Sequence, residues 1–142
     1  IKKEPLLVYG DGNQTRAFSD IKYYMNPFLS VLEGHDNQVF NIGADKYFTI
    51  NHVANLVKNI ASDFNIDVTI RHEEPRHEVK HAYCDHTKAK TKLQFNDKTD
   101  ISELISKMYT WAIDQPDRTV KFMNYEVSKN IYKYWLWNIL SE

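Results

Sequence analysis

Apolar residues change period as this chain is read, and that alternation limits the fold more than any single motif does. Pro5 to Tyr9 (PLLVY) is a short apolar run closed by Gly10-Asp11-Gly12-Asn13, which reads as a strand entering a tight turn. From Ile21 to Leu32 the groups Ile21, Tyr24, Met25, Phe28, Leu29 and Leu32 recur every three or four positions. That is a helical spacing, with Pro27 expected to break or kink it. Gln38 to Ile42 (QVFNI) reads as a second strand, stopped at Gly43. Thr49 is placed to cap a helix whose apolar face carries Ile50, Val53, Ala54, Val57 and Ile60. Asp67 to Arg71 (DVTIR) alternates as a third strand, and Glu73-Glu74-Pro75-Arg76 reads as a loop. Asp85 is expected to cap a short helix through Leu93. Asp100 with Glu103 forms a capping-box pattern ahead of a helix from Ile101 to about Gln115, with Leu104, Ile105, Met108 and Ala112 inward. The order β–α–β–α–β–α–α predicts an α/β fold, or an α+β-like piece of one. Three short strands make a thin sheet, as if a larger sheet had lost part of itself.

The 142 residues are one domain's worth, so 1–142 is expected to be a single domain. Its last stretch, 120–142, is an aromatic-rich tail with Phe122, Tyr125, Tyr132, Tyr134, Trp135 and Trp137. Lys plus Arg is 18 and Asp plus Glu is 19, a net charge of −1. That balance argues against a nucleic-acid binder, which needs a basic stripe, but not against a small anionic ligand held by one or two arginines. Without a basic groove beside it, the aromatic tail is expected to dock on the core or on a partner rather than to stack bases. A single cysteine, Cys84, closes no internal disulfide and points to a reducing, cytoplasmic compartment. No window approaches 18 consecutive apolar residues, so no membrane helix is expected, and the start IKKEPLLVYG lacks the apolar stretch of a signal peptide. The first residue is Ile1 rather than Met, so the expectation is a chain that has been cut or that begins partway through a longer protein.

Three constellations carry chemistry. His77-Glu78-Val79-Lys80-His81 matches H-E-x-x-H, which on a helix would put two His on one face for zinc with the Glu as general base. Pro75 two residues upstream, a charged stretch from Arg71 to Arg76 and the lack of a clear third ligand all oppose that zinc-hydrolase reading; a polar loop fits better. Gly10-Asp11-Gly12-Asn13-Gln14-Thr15-Arg16 combines turn glycines with an arginine able to clamp a phosphate, although from spacing alone a hairpin or surface turn with a solvated Arg is the favoured reading. Pro75-Arg76-His77-Glu78 is a second arginine in a turn, with a carboxylate two residues on. Two loop arginines and a carboxylate would suit a diphosphate and a sugar hydroxyl. There is no G-x-G-x-x-G, Walker loop, Ser-x-x-Lys, Gly-x-Ser-x-Gly or Cys-x-x-Cys, and Cys84 reads as a structural thiol.

Taken in order, VYGDGNQTRAFSDI, QVFNIGADKYFTINHVANLV and PRHEVKHAYCDHTKAKTKL resemble the C-terminal part of the NAD-dependent nucleotide-sugar epimerase/dehydratase family, the extended short-chain dehydrogenases, nearest to a UDP-glucose 4-epimerase-like branch. The resemblance runs from Leu7 to about Trp111, and VKFMNYEVSKNIYKYW resembles the tail of one branch. It implies that Arg16 and Arg76 contact the nucleotide diphosphate, that Glu78 meets the nucleotide ribose, and that Tyr9 and its neighbours form the strand end lying against the uracil. It also implies a UDP-sugar substrate, a homodimer, and an N-terminal Rossmann half that binds NAD and carries a Tyr-x-x-x-Lys pair.

This sequence departs from the family pattern in two places. After Phe18 the usual aromatic and paired aspartates are replaced by Ser19-Asp20-Ile21-Lys22-Tyr23-Tyr24. The strand–glycine–helix NAD motif and the Tyr/Lys pair are missing altogether; Tyr132-Lys133 has the wrong spacing. The expected function is therefore the substrate-binding portion of an NAD-dependent epimerase or dehydratase, not catalytic alone. The alternative is a truncated or split non-enzymatic domain that binds nucleotide-sugar or a partner.

Overall fold

The computed structural model describes residues 4–116, so the aromatic tail at 120–142 lies outside the described residues. Strand β1 (Leu6–Tyr9) lies parallel to β4 (Ile70–Glu73), with Leu6 opposite Ile70 and Tyr9 opposite Glu73. Between them the chain crosses through helix α2 (Ile50–Asp63), as a parallel pair requires. Thr49 Oγ1 caps α2 by accepting the His52 N–H at 3.1 Å, as its sequence predicts. At the other end Asn65 turns left-handed (φ 57°), and Ile66 N–H returns to the Ala61 carbonyl while Asn65 N–H returns to Ser62. That Schellman closure ends the helix at Asp63 and turns the chain toward the buried Val68. Ala54, Ile60 and Ala61 are the buried positions of α2, which packs on β1, β3, β4 and α4.

A second sheet has the order β3-β2-β5, from Tyr47–Thr49, Thr15–Ala17 and His81–Ala82. β2 is central, antiparallel to β3 and parallel to β5. The α/β class holds, but the strand count differs from the sequence expectation. QVFNI is not a strand: its backbone finds no ladder among the described residues. Phe40 and Ile42 instead pack on the Ala89, Leu93 and Phe95 cluster, and Lys88 Nζ takes the Val39 carbonyl at 3.0 Å. Alternation there marks burial of one side without a strand partner. The expected strand at Asp67–Arg71 begins three residues later, at Ile70, and takes in Glu73 from the expected loop.

The expected helix over Ile21–Leu32 divides into a 3₁₀ turn (Ile21–Tyr23) and α1 (Met25–Leu32). Pro27 neither kinks nor breaks α1. It sits in the first turn, where a backbone N–H has no partner to lose. Asp85 Oδ1 accepts the Thr87 N–H at 2.8 Å at the head of α3 (Thr87–Lys92), but the cap position is His86, one residue later than expected, and its side chain makes no cap bond. Asp100 Oδ1 accepts the Glu103 N–H at 2.9 Å at the head of α4 (Ile101–Ile113). Only that half of the expected capping box forms, because the Glu103 carboxylate turns to Lys107 one helical turn on. Met108, expected inward, is 60 % exposed.

Asp45 ties the Phe40–Ala44 stretch to α3. Its Oδ1 accepts from Lys90 Nζ at 2.5 Å and from His86 Nε2 at 2.6 Å. The Lys90 ammonium first and the His86 ring second hold this carboxyl below the usual carboxylate range. A depressed native pKa means stabilisation that is present above the unfolded value and lost as pH falls through the folded one. Asp45→Asn is expected to lower stability at neutral pH by about 1 kcal/mol, given the solvent screening of the pair. Urea titrations should show the gap to wild type closing as pH drops below about 4.

Candidate functional site

The turn between β1 and β2 is built by glycine conformations and a strap from α2. Gly10 and Gly12 have φ of +72° and +70°. A Cβ on Gly12 would stand 2.0 Å from Asn51 Oδ1. Asn51 needs that space, because its Nδ2 donates to the Asp11 carbonyl at 2.8 Å and its backbone N–H donates to Gly12 O at 3.0 Å. Ile50 N–H adds a bond to Gln14 O at 3.1 Å. The orphan donors at the start of α2 thus hold the turn, and β2 leaves it carrying Arg16.

The loop from Glu74 to Lys80 approaches from the other side. Gly10 N–H donates to Glu73 O and Thr15 N–H to Lys80 O, so both ends of the loop are tied to the turn. Between those ties the Arg76 guanidinium lies over the Tyr9 ring, its Cζ 3.2 Å from the centroid. Glu78 Oε2 accepts from Arg16 Nη2 at 2.7 Å, and its Oε1 accepts from Gln14 Nε2 at 3.1 Å. The same Gln14 amide donates to the Tyr9 carbonyl at 2.9 Å. The residues singled out from the sequence, Tyr9, Arg16, Arg76 and Glu78, therefore meet in one network although 67 positions separate the first from Arg76.

An open cleft of about 780 Å³ lies against this network, at the carboxyl ends of β1 and β4. Tyr9, Gly10, Gln14, Arg76 and Glu78 line it; Arg16 stands beside it, paired with Glu78. Sequence reasoning missed Gln14, His72 and Lys80, which also line the cleft. In the sequence His72 is one polar residue of a charged stretch, with no local pattern to single it out. Its Nδ1 lies 2.8 Å from the Gly10 carbonyl. A carbonyl only accepts, so Nδ1 carries the proton there.

The lining also holds Asp11, Glu73 and Glu74. Asp11 is kept ionised, its carboxyl held below the usual range chiefly by the Asn13 backbone N–H. Glu73 is paired with Arg71 at 2.6 Å and Glu78 with Arg16, so the local acidic charge is partly neutralised.

The helix that zinc chemistry would need does not form at the H-E-x-x-H string. Residues 77–80 are irregular, and His81 begins β5 with its Nδ1 2.8 Å from Thr15 Oγ1. Among the described residues no three His, Cys, Asp or Glu side chains gather as a metal site, and no helix is long and apolar enough to cross a membrane. Cys84 is half-buried beneath Gly43, where a Cβ would stand 2.6 Å from its sulfur.

The GDP-mannose 4,6 dehydratase family matches this sequence over residues 1–108. The chain belongs to that family. It is a family of extended short-chain dehydrogenases that includes nucleotide-sugar epimerases and dehydratases. UDP-glucuronic acid decarboxylase 2 of Arabidopsis thaliana is 34 % identical over 104 residues, covering 72 % of this chain and 23 % of that protein. The UDP-glucose 4-epimerase of Thermotoga maritima, solved with UDP-glucose, has a TM-score of 0.67 at 28 % identity, covering 79 % of this chain and 37 % of that one. The UDP-glucuronic acid 4-epimerase of Bacillus cereus, solved with UDP-glucuronic acid and NAD, has a TM-score of 0.66 at 26 % identity, covering 77 % and 35 %. This family member thus spans about a quarter to a third of the proteins it resembles.

Gly12→Ala puts a methyl group into the Asn51 side chain at a left-handed backbone position. The expected cost is about 1–3 kcal/mol of unfolding free energy, read from urea denaturation, with Gly34→Ala, which meets no atom within 4 Å, as the control for strain alone.

Proposed function

We propose that this chain is the substrate-side part of an NAD-dependent nucleotide-sugar epimerase or dehydratase, and that its cleft holds the nucleotide diphosphate of a UDP-sugar. Arg76 and Arg16 take the diphosphate, Glu78 meets the ribose, and the end of β1 around Tyr9 lies along the base. The observation that carries this reading is the convergence of two arginines and a carboxylate, from β2 and from the β4–β5 loop, beside a cleft at the carboxyl ends of two parallel strands. Open α/β sheets bind their ligands at that end, where loops replace the ladder. Arginine suits the task because its planar fork meets two phosphate oxygens at once.

β1 runs into a turn and then another strand, not into the glycine turn and helix of a dinucleotide-binding βαβ unit. In this proposal an N-terminal Rossmann half supplies the NAD site and the Tyr/Lys pair, and the chain does not catalyse alone. Its own residues contribute position. Fixing the diphosphate holds the sugar at one place, so that binding energy distant from the reacting carbon is used to orient it. The carboxylates near the cleft make the arginines more necessary, since a diphosphate must find its compensation there.

Calorimetric titration of the full chain with UDP tests the reading. Arg76→Ala is expected to weaken binding about tenfold, the loss of one charge-assisted contact. Equal affinity in the variant and the wild type would remove Arg76 from the site.

A further inference from the structure

We propose that Tyr9 is a positioning residue: its ring is the platform that orients the Arg76 guanidinium at the cleft. This rests on the cleft being a nucleotide-diphosphate site.

Arg76 lies in a loop without regular structure between β4 and β5, where a long side chain would sample many rotamers. The loop is drawn in where Pro75 approaches Gly10, close enough that a Cβ on Gly10 would meet Pro75 Cβ at 3.4 Å. From there the guanidinium lies on the aromatic ring, its central carbon 3.2 Å from the centroid. A ring face covered that closely has no room for a base on the same side.

The platform itself is anchored. Tyr9 closes β1 opposite Glu73, and its carbonyl accepts the Gln14 amide at 2.9 Å. Cation–π attraction holds a guanidinium parallel to the ring without using its in-plane N–H groups. Those donors are the ones that grip a phosphate in bidentate fashion. Ordering Arg76 before the ligand arrives removes part of the entropy that binding would otherwise cost. Arg16 is oriented in a different way, by the Glu78 carboxylate and the Thr15 carbonyl.

The test is a series at position 9 in the full chain: Tyr9→Phe, then phenylalanines bearing one to three fluorines, which withdraw the ring's negative face at nearly constant size. Each is titrated with UDP in the wild-type and the Arg76→Ala backgrounds. UDP affinity is expected to stay within about twofold for Tyr9→Phe and to fall stepwise to about fivefold weaker across the fluorinated set. With Arg76→Ala the series should be flat. Urea midpoints, unchanged along the series, separate this from loss of fold.

A flat series in the wild-type background, or equal falls in both backgrounds, overturns the platform role while leaving the diphosphate site standing. If Arg76→Ala binds UDP as tightly as wild type, or if the wild type does not bind UDP, the site assignment itself fails and the platform role falls with it.

Discussion

Two four-residue strands, Leu6–Tyr9 and Ile70–Glu73, lie parallel and in register, so their carboxyl ends come out together. Everything at the cleft follows from that pairing. It places the Gly10–Asn13 turn beside the Glu74–Lys80 loop, and it lets Gly10 N–H and Thr15 N–H bond across to Glu73 and Lys80. A parallel pair needs a long crossover, and α2 fills it while its N-terminal donors hold the turn. One helix thus buries the apolar side of the strands with Ala54, Ile60 and Ala61 and fixes the turn from which β2 leads off with Arg16.

Charge at the cleft is arranged in pairs rather than as a uniform field. Glu78 bonds Arg16 and Gln14, Glu73 bonds Arg71, and Arg76 rests on an aromatic face. Arg16, Gln14 and Arg76 are therefore each restrained by a neighbour from another segment, and Glu73 by one on its own strand. Such restraint has little value for stability at a solvent-exposed surface, where ion pairs contribute about 0–1 kcal/mol. Its value is in preorganisation, since binding costs less when the groups that touch a ligand are already oriented.

Family membership sets this arrangement in context. The chain covers 23–37 % of the three relatives named above, and two of them are epimerases solved with UDP-sugars. The departure from the family pattern at Ser19–Tyr24 has a local structural outcome: Asp20 caps a 3₁₀ turn by accepting the Lys22 N–H, and its own N–H donates to Thr99. The changed segment is thus tied to the start of α4 rather than left loose.

Helices were legible and strands largely were not. The cap at Thr49, the Asp100 cap and the apolar faces of α2 and α4 are local facts, because a helix closes its hydrogen bonds four residues away and its caps within three. Strands of two to four residues carry too little pattern, and each needs a partner remote in sequence. QVFNI had the alternation and found none, while β2 and β5 paired without it. The residue types at the cleft, two arginines in turns and a carboxylate two positions on, stand in the sequence itself. Their meeting, the engagement of Glu78 with Arg16, the recruitment of Gln14 and His72, and the stacking of Arg76 on Tyr9 were decided by the tertiary structure, because only the β1–β4 register brings the two turns within bonding distance.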